Sequence, residues 1–427
     1  VEALQASRAD QSEIDAILSK FEVEVIYLDN DVYQGEELLA RISRREENGR
    51  VRPQIDITRY DGTPVLVSPQ TTRLNPVMVG KRGYKSYTEN HIAEIPEVLG
   101  NIVQAYIQEG EIQLDSIWEE GQLLWPGLNR GALHDRFGRQ LQKLGRLLLI
   151  GEGSSWRDAQ AAAPLFRELF PDVLVTVYRP IQVLNLGEAL DPQKDLALEI
   201  SWSGTTDSLL KVDRWLSRMD VLRVAITGRP QSNLGRHGAR SGGTLNVHTG
   251  VEVSVATVKG YEAILMTLHL LALHLAEWRA AAGETAVLSQ LLNELTFVVP
   301  QHVQTVLNDA ERNRLIRQAA VRCRNFNKVA VVGTSPVDIE AELKIEELAQ
   351  IVARTSDFHD ADLRGLIERS ALVSEDQQRT LFIINATTPE AQWEAQFIIN
   401  YLRELDIFCL IHTTAHERLA AWQALSN

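Results

Sequence analysis

The stretch LEISWSGTTDSLL (198–210) decides how the chain is read. Its apolar opening has the character of a buried strand, its last residues that of a helix start, and between them Ser201, Ser203, Thr205 and Thr206 surround Gly204. Ser, Thr and Gly are ordinary turn and cap residues, so a plain strand-to-helix turn explains the stretch taken alone. The other reading is a phosphate cradle. A glycine-containing loop at a helix N-terminus offers backbone N–H groups, the positive dipole end and hydroxyl donors together.

Outward from this stretch, strand-like and helix-like segments alternate from residue 146: RLLLI, DAQAAAPLFREL, VLVTVY, LALEI, DSLLKVDRWLSR, LRVAIT. Such alternation predicts a parallel sheet flanked by helices. The short apolar runs suit a sheet covered on both faces. Long helices are expected at 258–295 and 299–323, and then the pattern restarts. RLLLIGEGSSWRDAQAAAPLFREL (146–169) matches NKVAVVGTSPVDIEAELKIEELAQ (327–350), and LALEISWSGTT matches TLFIINATTPE. The expected fold class is α/β, with two tandem three-layer units of parallel sheets flanked by helices. The second copy carries Asn385-Ala386-Thr387-Thr388-Pro389 where the first has Ser-x-Ser-Gly, so only the first reads as built to hold an anion. The expected division is a small N-terminal segment at 1–75, a first unit with a helical lead-in at 76–290, and a second unit at 291–427.

Bulk properties exclude several classes. The 427-residue chain carries a net charge of −14 and no long Lys/Arg run, which speaks against nucleic-acid binding but leaves room for a local basic pocket. Cys323 and Cys409 form no CxxC spacing and fit a reducing, cytoplasmic setting. The apolar run AILMTLHLLALHLA (263–276) is too short to span a bilayer, and the acidic start is unlike a secretory signal, so no membrane is expected. The chain opens on Val, which raises the expectation of a fragment or processed product.

Three strand-end segments of the first unit are candidates to converge: GEGSSW (151–156) with Ser154 and Ser155, SWSGTT (201–206), and EVSVATVKGY (252–261) with Thr257 and Lys259 at a helix start. In open parallel sheets, ligands bind outside the carboxyl ends of the strands. Helix capping remains the alternative for each piece in isolation. GEGSSW lacks the third glycine of a dinucleotide loop. His412 and His416, four apart, are a possible metal pair on a helix, but no third ligand stands out and no metal is expected. His269 and His274 read as core-edge histidines.

In sequence order over about residues 80–410, LIGEGSSW, EISWSGTTDSLL, RVAITGRPQSNLGR, VEVSVATVKGYEAILMTL and PVDIEAELKIEELAQI resemble tandem sugar isomerase (SIS) domain proteins, in particular the isomerase half of glucosamine-6-phosphate synthase. The resemblance implies a phosphosugar-binding isomerase or isomerizing aminotransferase acting on a ketose 6-phosphate such as fructose 6-phosphate, as a homodimer without cofactor. It places Ser155, Ser201, Ser203 and Thr206 at the family's phosphate-binding hydroxyls, within loops that also hold Ser154, Gly204 and Thr205. Thr257 stands where the family has a substrate-contacting Ser, and Val255 at a position whose backbone lines the sugar. Trp202 departs from the usual Gln; an indole is bulkier and donates only.

The helix Glu340-Ala341-Glu342-Leu343-Lys344-Ile345-Glu346-Glu347 resembles the family's E-x-A-L-K-x-K-E, which implies Glu347 as the base shuttling a proton between C1 and C2 and Lys344 as holder of the developing charge. A weak, solvated surface pair is the alternative. Two departures set this chain apart. The family's Lys-His-Gly-Pro aligns with Asp362-Leu363-Arg364-Gly365-Leu366, with His359 reaching the histidine position only by a shifted alignment and otherwise a loop residue. The family's near-terminal catalytic lysine has no counterpart, so either a truncated chain or a branch without that element is expected. Residues 13–30 resemble the end of the synthase's glutaminase domain, an expected remnant; with no N-terminal Cys nucleophile, glutamine hydrolysis is not expected. Two alternatives stay open: a phosphosugar deglycase or deaminase, and a non-catalytic phosphosugar-binding sensor or assembly protein.

Overall fold

The computed structural model describes residues 23–25, 38–47, 50–59, 61–65, 70–72, 80–114, 129–186, 190–254, 256–279, 285–372, 380–405, 407 and 409–413. The chain divides into two compact units, Val1–Tyr87 and Thr88–Asn427.

In the first unit, β1 (Val23–Val25) pairs antiparallel with β4 (Gln70–Thr72), and β2 (Leu38–Glu47) with β3 (Arg50–Arg59). The β2–β3 register runs from Leu38 opposite Arg59 to Glu47 opposite Arg50. Residues 38–47, a charged stretch, thus supply a hairpin strand.

From the boundary at Tyr87, α1 (Tyr87–Tyr106) leads into the short β5 (Ile107–Gln108) and β6 (Glu111–Ile112), and α2 (Arg130–Leu141). Five parallel strands follow: β7 (Arg146–Gly151), β8 (Leu174–Tyr178), β9 (Asp195–Ile200), β10 (Leu222–Thr227) and β11 (Gly243–Asn246). They alternate with α3 (Ser154–Leu169), α4 (Pro180–Leu184), α5 (Asp207–Arg218) and α6 (Asn233–Ala239). The order across the sheet is β8-β7-β9-β10-β11. Side-chain alternation explains why the strands read as unbroken apolar runs. Leu147 and Leu149 join Leu196, Leu198 and Ile200 in one core, while Leu148 and Ile150 join Ala197, Leu209 and Leu216 in another on the opposite face.

The buried α7 (Lys259–Arg279) closes the larger core, with α8 (Thr285–Asn293) beyond it. One π-helical turn at Glu294–Val298 leads into α9 (Val299–Asn308), then α10 (Ala310–Cys323). The expected helix at 299–323 is interrupted because Asp309 leaves helical geometry (φ −69°, ψ 99°) and its carboxylate caps α10 through the Arg312 N–H. The second parallel sheet comprises β12 (Lys328–Val332), β13 (Val352–Ser356), β14 (Thr380–Ala386) and β15 (Cys409–Thr413), with α11 (Pro336–Ala349), α12 (Ala361–Ala371) and α13 (Pro389–Glu404) between them. Its order, β13-β12-β14-β15, repeats the β8-β7-β9-β10 part of the first sheet, with no counterpart of β11 among the described residues. Both faces are again covered, Ala330, Val332, Phe382 and Ile384 on one side and Val329, Val331 and Leu381 on the other. The chain is therefore α/β with two parallel sheets, each flanked by helices. Among the described residues no helix is long and apolar enough to cross a membrane.

Candidate functional site

In the first sheet the topological switch point lies at β7, whose chain successor β8 flanks one side and β9 the other. β7 and β9 end together, with Gly151 opposite Ile200. Adjacent strands lie about 4.8 Å apart, so the loops that follow, 152–153 and 201–206, emerge side by side. Each feeds a helix N-terminus, α3 at Ser154 and α5 at Asp207, with Thr206 in the extended cap position of α5.

The second loop is organised by its own hydroxyls. Ser201 Oγ accepts from the Gly204 N–H at 3.1 Å and pairs with Thr206 Oγ1 at 2.9 Å; Ser203 Oγ accepts from the Thr205 N–H at 3.3 Å and from its Oγ1 at 3.1 Å. Gly204 turns the chain at φ +63°, and a Cβ there would lie 1.8 Å from Ser232 Oγ. Ser201 and Ser155 are buried, Ser203 and Thr206 half-buried and Thr205 exposed. The loop therefore presents hydroxyls and backbone N–H groups at the positive end of α5, the donor set a phosphate takes.

Ser154 connects this edge to the second sheet. Its hydroxyl donates to Glu340 Oε1 at 3.0 Å and receives a hydrogen bond from Lys344 Nζ at 3.0 Å. Lys344 also lies 3.0 Å from Glu340 and 2.9 Å from Glu347, all on α11. With its side chain 19% exposed and three oxygens around the ammonium, Lys344 is not the solvated surface partner that its spacing alone allows. Arg157 on α3 donates to the Ile339 carbonyl at 2.9 Å and sits 3.7 Å from Glu340, so α3 and α11 are cross-linked at two points.

Behind these groups lies an acidic interior that the sequence did not single out. Asp158 is fully buried, and among the described residues neither its carboxylate oxygens nor the Tyr261 hydroxyl finds a hydrogen-bond partner. Burial, and then the charge of Glu340, holds the Asp158 carboxyl well above the usual carboxylate range. Burial also raises Glu340, against the opposing pull of Lys344, Ser154 and Arg157, and raises Glu262, helped by Glu340. For Glu340 a signal existed: residues 340, 344 and 347 share one helix face. For Arg157, Asp158, Tyr261 and Glu262 there was none, because only the packing of α3 on α7 and α11 brings them together.

The third wall is the start of α7. Glu252 accepts from the N–H groups of Val258 (2.7 Å) and Gly260 (3.2 Å), fixing the turn that carries Thr257. Lys259 is spent on Glu94 of α1 at 2.6 Å, buried and away from solvent. Trp202 and Thr257 meet at Gly260, where an added Cβ would lie 2.9 Å from Trp202 Cδ1 and 2.8 Å from Thr257 Cγ2. The Trp202 indole N–H donates to Thr249 Oγ1 at 2.8 Å, and the Arg229 guanidinium stacks over the ring at 4.8 Å. Val255 lies outside the described residues.

The remaining candidates take other places. His359 is exposed and pairs with Glu394 at 2.9 Å, while Asp362–Leu366 lie within α12. His412 sits on a strand, β15, rather than a helix, and faces Asn385 Oδ1 at 3.0 Å; strand geometry removes the i,i+4 logic of the proposed pair, and His416 lies outside the described residues. No group of three or more potential metal ligands occurs among the described residues.

No protein-family model matches the chain. Its sequence is similar to the isomerizing glutamine–fructose-6-phosphate aminotransferases: 26% identical over 306 residues to that of Gloeobacter violaceus, covering 71% of this chain and 46% of the relative, and 25% identical over 335 residues to that of Streptococcus agalactiae, covering 76% and 51%. The chain thus spans about half the length of the curated relatives it matches. Its fold is similar to the C-terminal domain of glucosamine-fructose-6-phosphate aminotransferase from Francisella tularensis, with a TM-score of 0.62 at 20% identity over 78% of this chain and 85% of that one.

Proposed function

We propose, from the premise that the chain has the sugar isomerase (SIS) fold and resembles the isomerase half of those aminotransferases, that it binds a ketose 6-phosphate such as fructose 6-phosphate and moves a proton between its C1 and C2. The observation that carries this reading is the Ser154 hydroxyl. It stands beside the hydroxyl cradle and holds Lys344, which in turn holds Glu347. One end of a phosphosugar would meet Ser155, Ser201, Ser203 and Thr206, with Gly204 and Thr205 shaping the loop and Thr257, Val255 and Trp202 along the sugar. At the other end the Glu347 carboxylate takes the C1 proton, the electron pair left behind forms the C1–C2 double bond, and the C2 carbonyl oxygen gains the charge that Lys344 faces. The hydroxyl proton of O1 then passes to O2, the C1 carbonyl forms, and the proton returns from Glu347 to C2, which completes the ketose-to-aldose conversion. Homodimerisation, a cytoplasmic location and a boundary between the two SIS units near residue 290 belong to the same proposal.

A second reading, a receptor without turnover, is favoured by one observation. The region aligned with the family's ring-opening histidine is the histidine-free start of α12, and His359 is paired with Glu394.

The two separate in deuterium oxide. The chain incubated with fructose 6-phosphate is expected to exchange the C1 proton and yield glucose 6-phosphate, and Glu347→Gln to lower both rates by about 10²–10⁴-fold while still binding. Binding by the unaltered chain with neither exchange nor interconversion would establish the receptor instead.

A further inference from the structure

We infer that Arg229 is a phosphate-recognising residue of this site, a cation added to a cradle otherwise built from neutral groups. This rests on the phosphosugar reading above. A phosphate monoester carries about −1.5 to −2 charges at pH 7. The N-terminus of α5 contributes roughly +0.5. Hydroxyls and backbone N–H groups add no net charge, so a cation close to the loop completes the balance. Of the other basic side chains around the site, Lys344 is paired with Glu340 and Glu347, Arg157 with Glu340, and Lys259 with Glu94. Arg229 is exposed and, among the described residues, forms no ion pair.

Its position is built into the loop. Gly228 N donates to the Trp202 carbonyl at 3.0 Å, as does Thr227 Oγ1 at 3.1 Å, and that same threonine oxygen accepts the Arg229 N–H at 3.1 Å. Further along, Ser232 N donates to the Arg229 carbonyl at 2.9 Å and Leu234 N to the Gly204 carbonyl at 3.1 Å. The 228–234 segment is therefore bonded to the cradle at both ends. The side chain is steadied by stacking on Trp202, itself anchored to Thr249 and in close contact with Gly228. This explains a tryptophan between two phosphate-site serines: with its N–H already used, it serves as the platform for a guanidinium, whose planar fork suits phosphate oxygens.

The test is calorimetric binding of fructose 6-phosphate to the full chain. Arg229→Gln is expected to weaken binding by about ten- to a hundredfold, the loss of a charge-assisted contact, and to flatten its salt dependence. Arg229→Lys should recover part of the loss, and Trp202→Phe, which keeps a ring under the guanidinium, should lose less than Trp202→Ala. Arg179→Gln is the control, since Arg179 stacks on Trp156 at 4.3 Å in the same manner but on the far side of β7. Wild-type affinity in Arg229→Gln, or an equal loss in Arg179→Gln, would overturn the inference. Failure of the unaltered chain to bind any hexose 6-phosphate would instead overturn the phosphosugar reading, and this inference with it.

Discussion

Replacing Gly204 by alanine probes whether the cradle is shaped by backbone geometry or merely by composition. Two costs follow from the structure. An L-residue at φ +63° enters the left-handed region, at about 1–2 kcal/mol. The new methyl would also stand 1.8 Å from Ser232 Oγ, 2.6 Å from Ser232 Cβ and 3.0 Å from Thr227 Oγ1, so Ser232, the N-cap of α6, must move. Overpacking of that kind costs about 1–3 kcal/mol, which brings the expected total to about 2–5 kcal/mol. Gly250 isolates the first cost, because its φ is +64° but nothing lies within 4 Å of its Cβ position. Gly250→Ala should then cost only about 1–2 kcal/mol. Urea unfolding of the full chain gives both differences. In a Ser232→Ala background the Gly204→Ala penalty should shrink, since the nearest clashing atom is gone, while Ser232→Ala alone costs about 1 kcal/mol as a lost cap. Equal penalties at Gly204 and Gly250, unchanged by Ser232→Ala, would refute the claim that Ser232 and the cradle constrain each other.

Two further predictions concern buried charge. Burial raises the Asp158 carboxyl, so the native state holds a proton that the unfolded chain, with aspartate near about 3.9, has already released; stability therefore falls as pH rises above about 4 until the native group ionises. Asp158→Asn should flatten that fall and gain on the parent as pH increases, measured by urea unfolding across a pH series; parallel curves would count against it. Arg223 donates to the Asp213 carbonyl at 2.7 Å and to its carboxylate at 2.9 Å, both side chains being buried. The other carboxylate oxygen of Asp213 faces His237 Nδ1 at 2.5 Å, so Arg223→Met removes one of two partners and should cost about 1–3 kcal/mol in the same unfolding assay; a loss indistinguishable from zero would count against the buried pair.

The sheets were legible in the sequence for a physical reason. A strand covered on both faces needs apolar residues at every position, and Leu147–Ile150 are all fully buried. The turn at SWSGTT was legible because hydroxyl residues around a glycine at a strand end are turn and cap formers, and the structure has the strand-to-helix turn there. The β2–β3 hairpin was not: stretches such as Ser43-Arg44-Arg45-Glu46-Glu47 offer no apolar alternation, and the strand is defined by its partner. Nor could sequence reveal where Trp202 spends its N–H, because Thr249 is far along the chain and meets it only through the sheet. Lys344 shows the same limit from the other side. Its spacing to Glu347 fits a solvated helix equally well; what changes its chemistry is Ser154, reached across two packed helices.

The repeated sheet order also explains why a single cradle follows from two copies of one pattern. At the second sheet's switch point, between β12 and β14, the equivalent donors are present: the Ser335 N–H after β12 and the Asn385 side chain at the end of β14. Both are already engaged. Ser335 N donates to Asp338 Oδ2 at 2.9 Å and Asn385 Nδ2 to Asp338 Oδ1 at 2.6 Å, with Asp338 itself buried. The space above Gly333 is closed by the same carboxylate, 2.2 Å from where a Cβ would stand. The second copy thus turns its donors on an anion of its own chain, covalently attached and always in place. In the first copy the residue at the same helix position, three beyond the N-cap, is Trp156, which carries no carboxylate and lies under the Arg179 guanidinium at 4.3 Å. With no internal carboxylate in that position, the hydroxyls of Ser201, Ser203 and Thr206 bond one another; under the proposed phosphosugar reading an incoming phosphate would replace those bonds, whereas the Asp338 carboxylate is part of the chain and cannot leave.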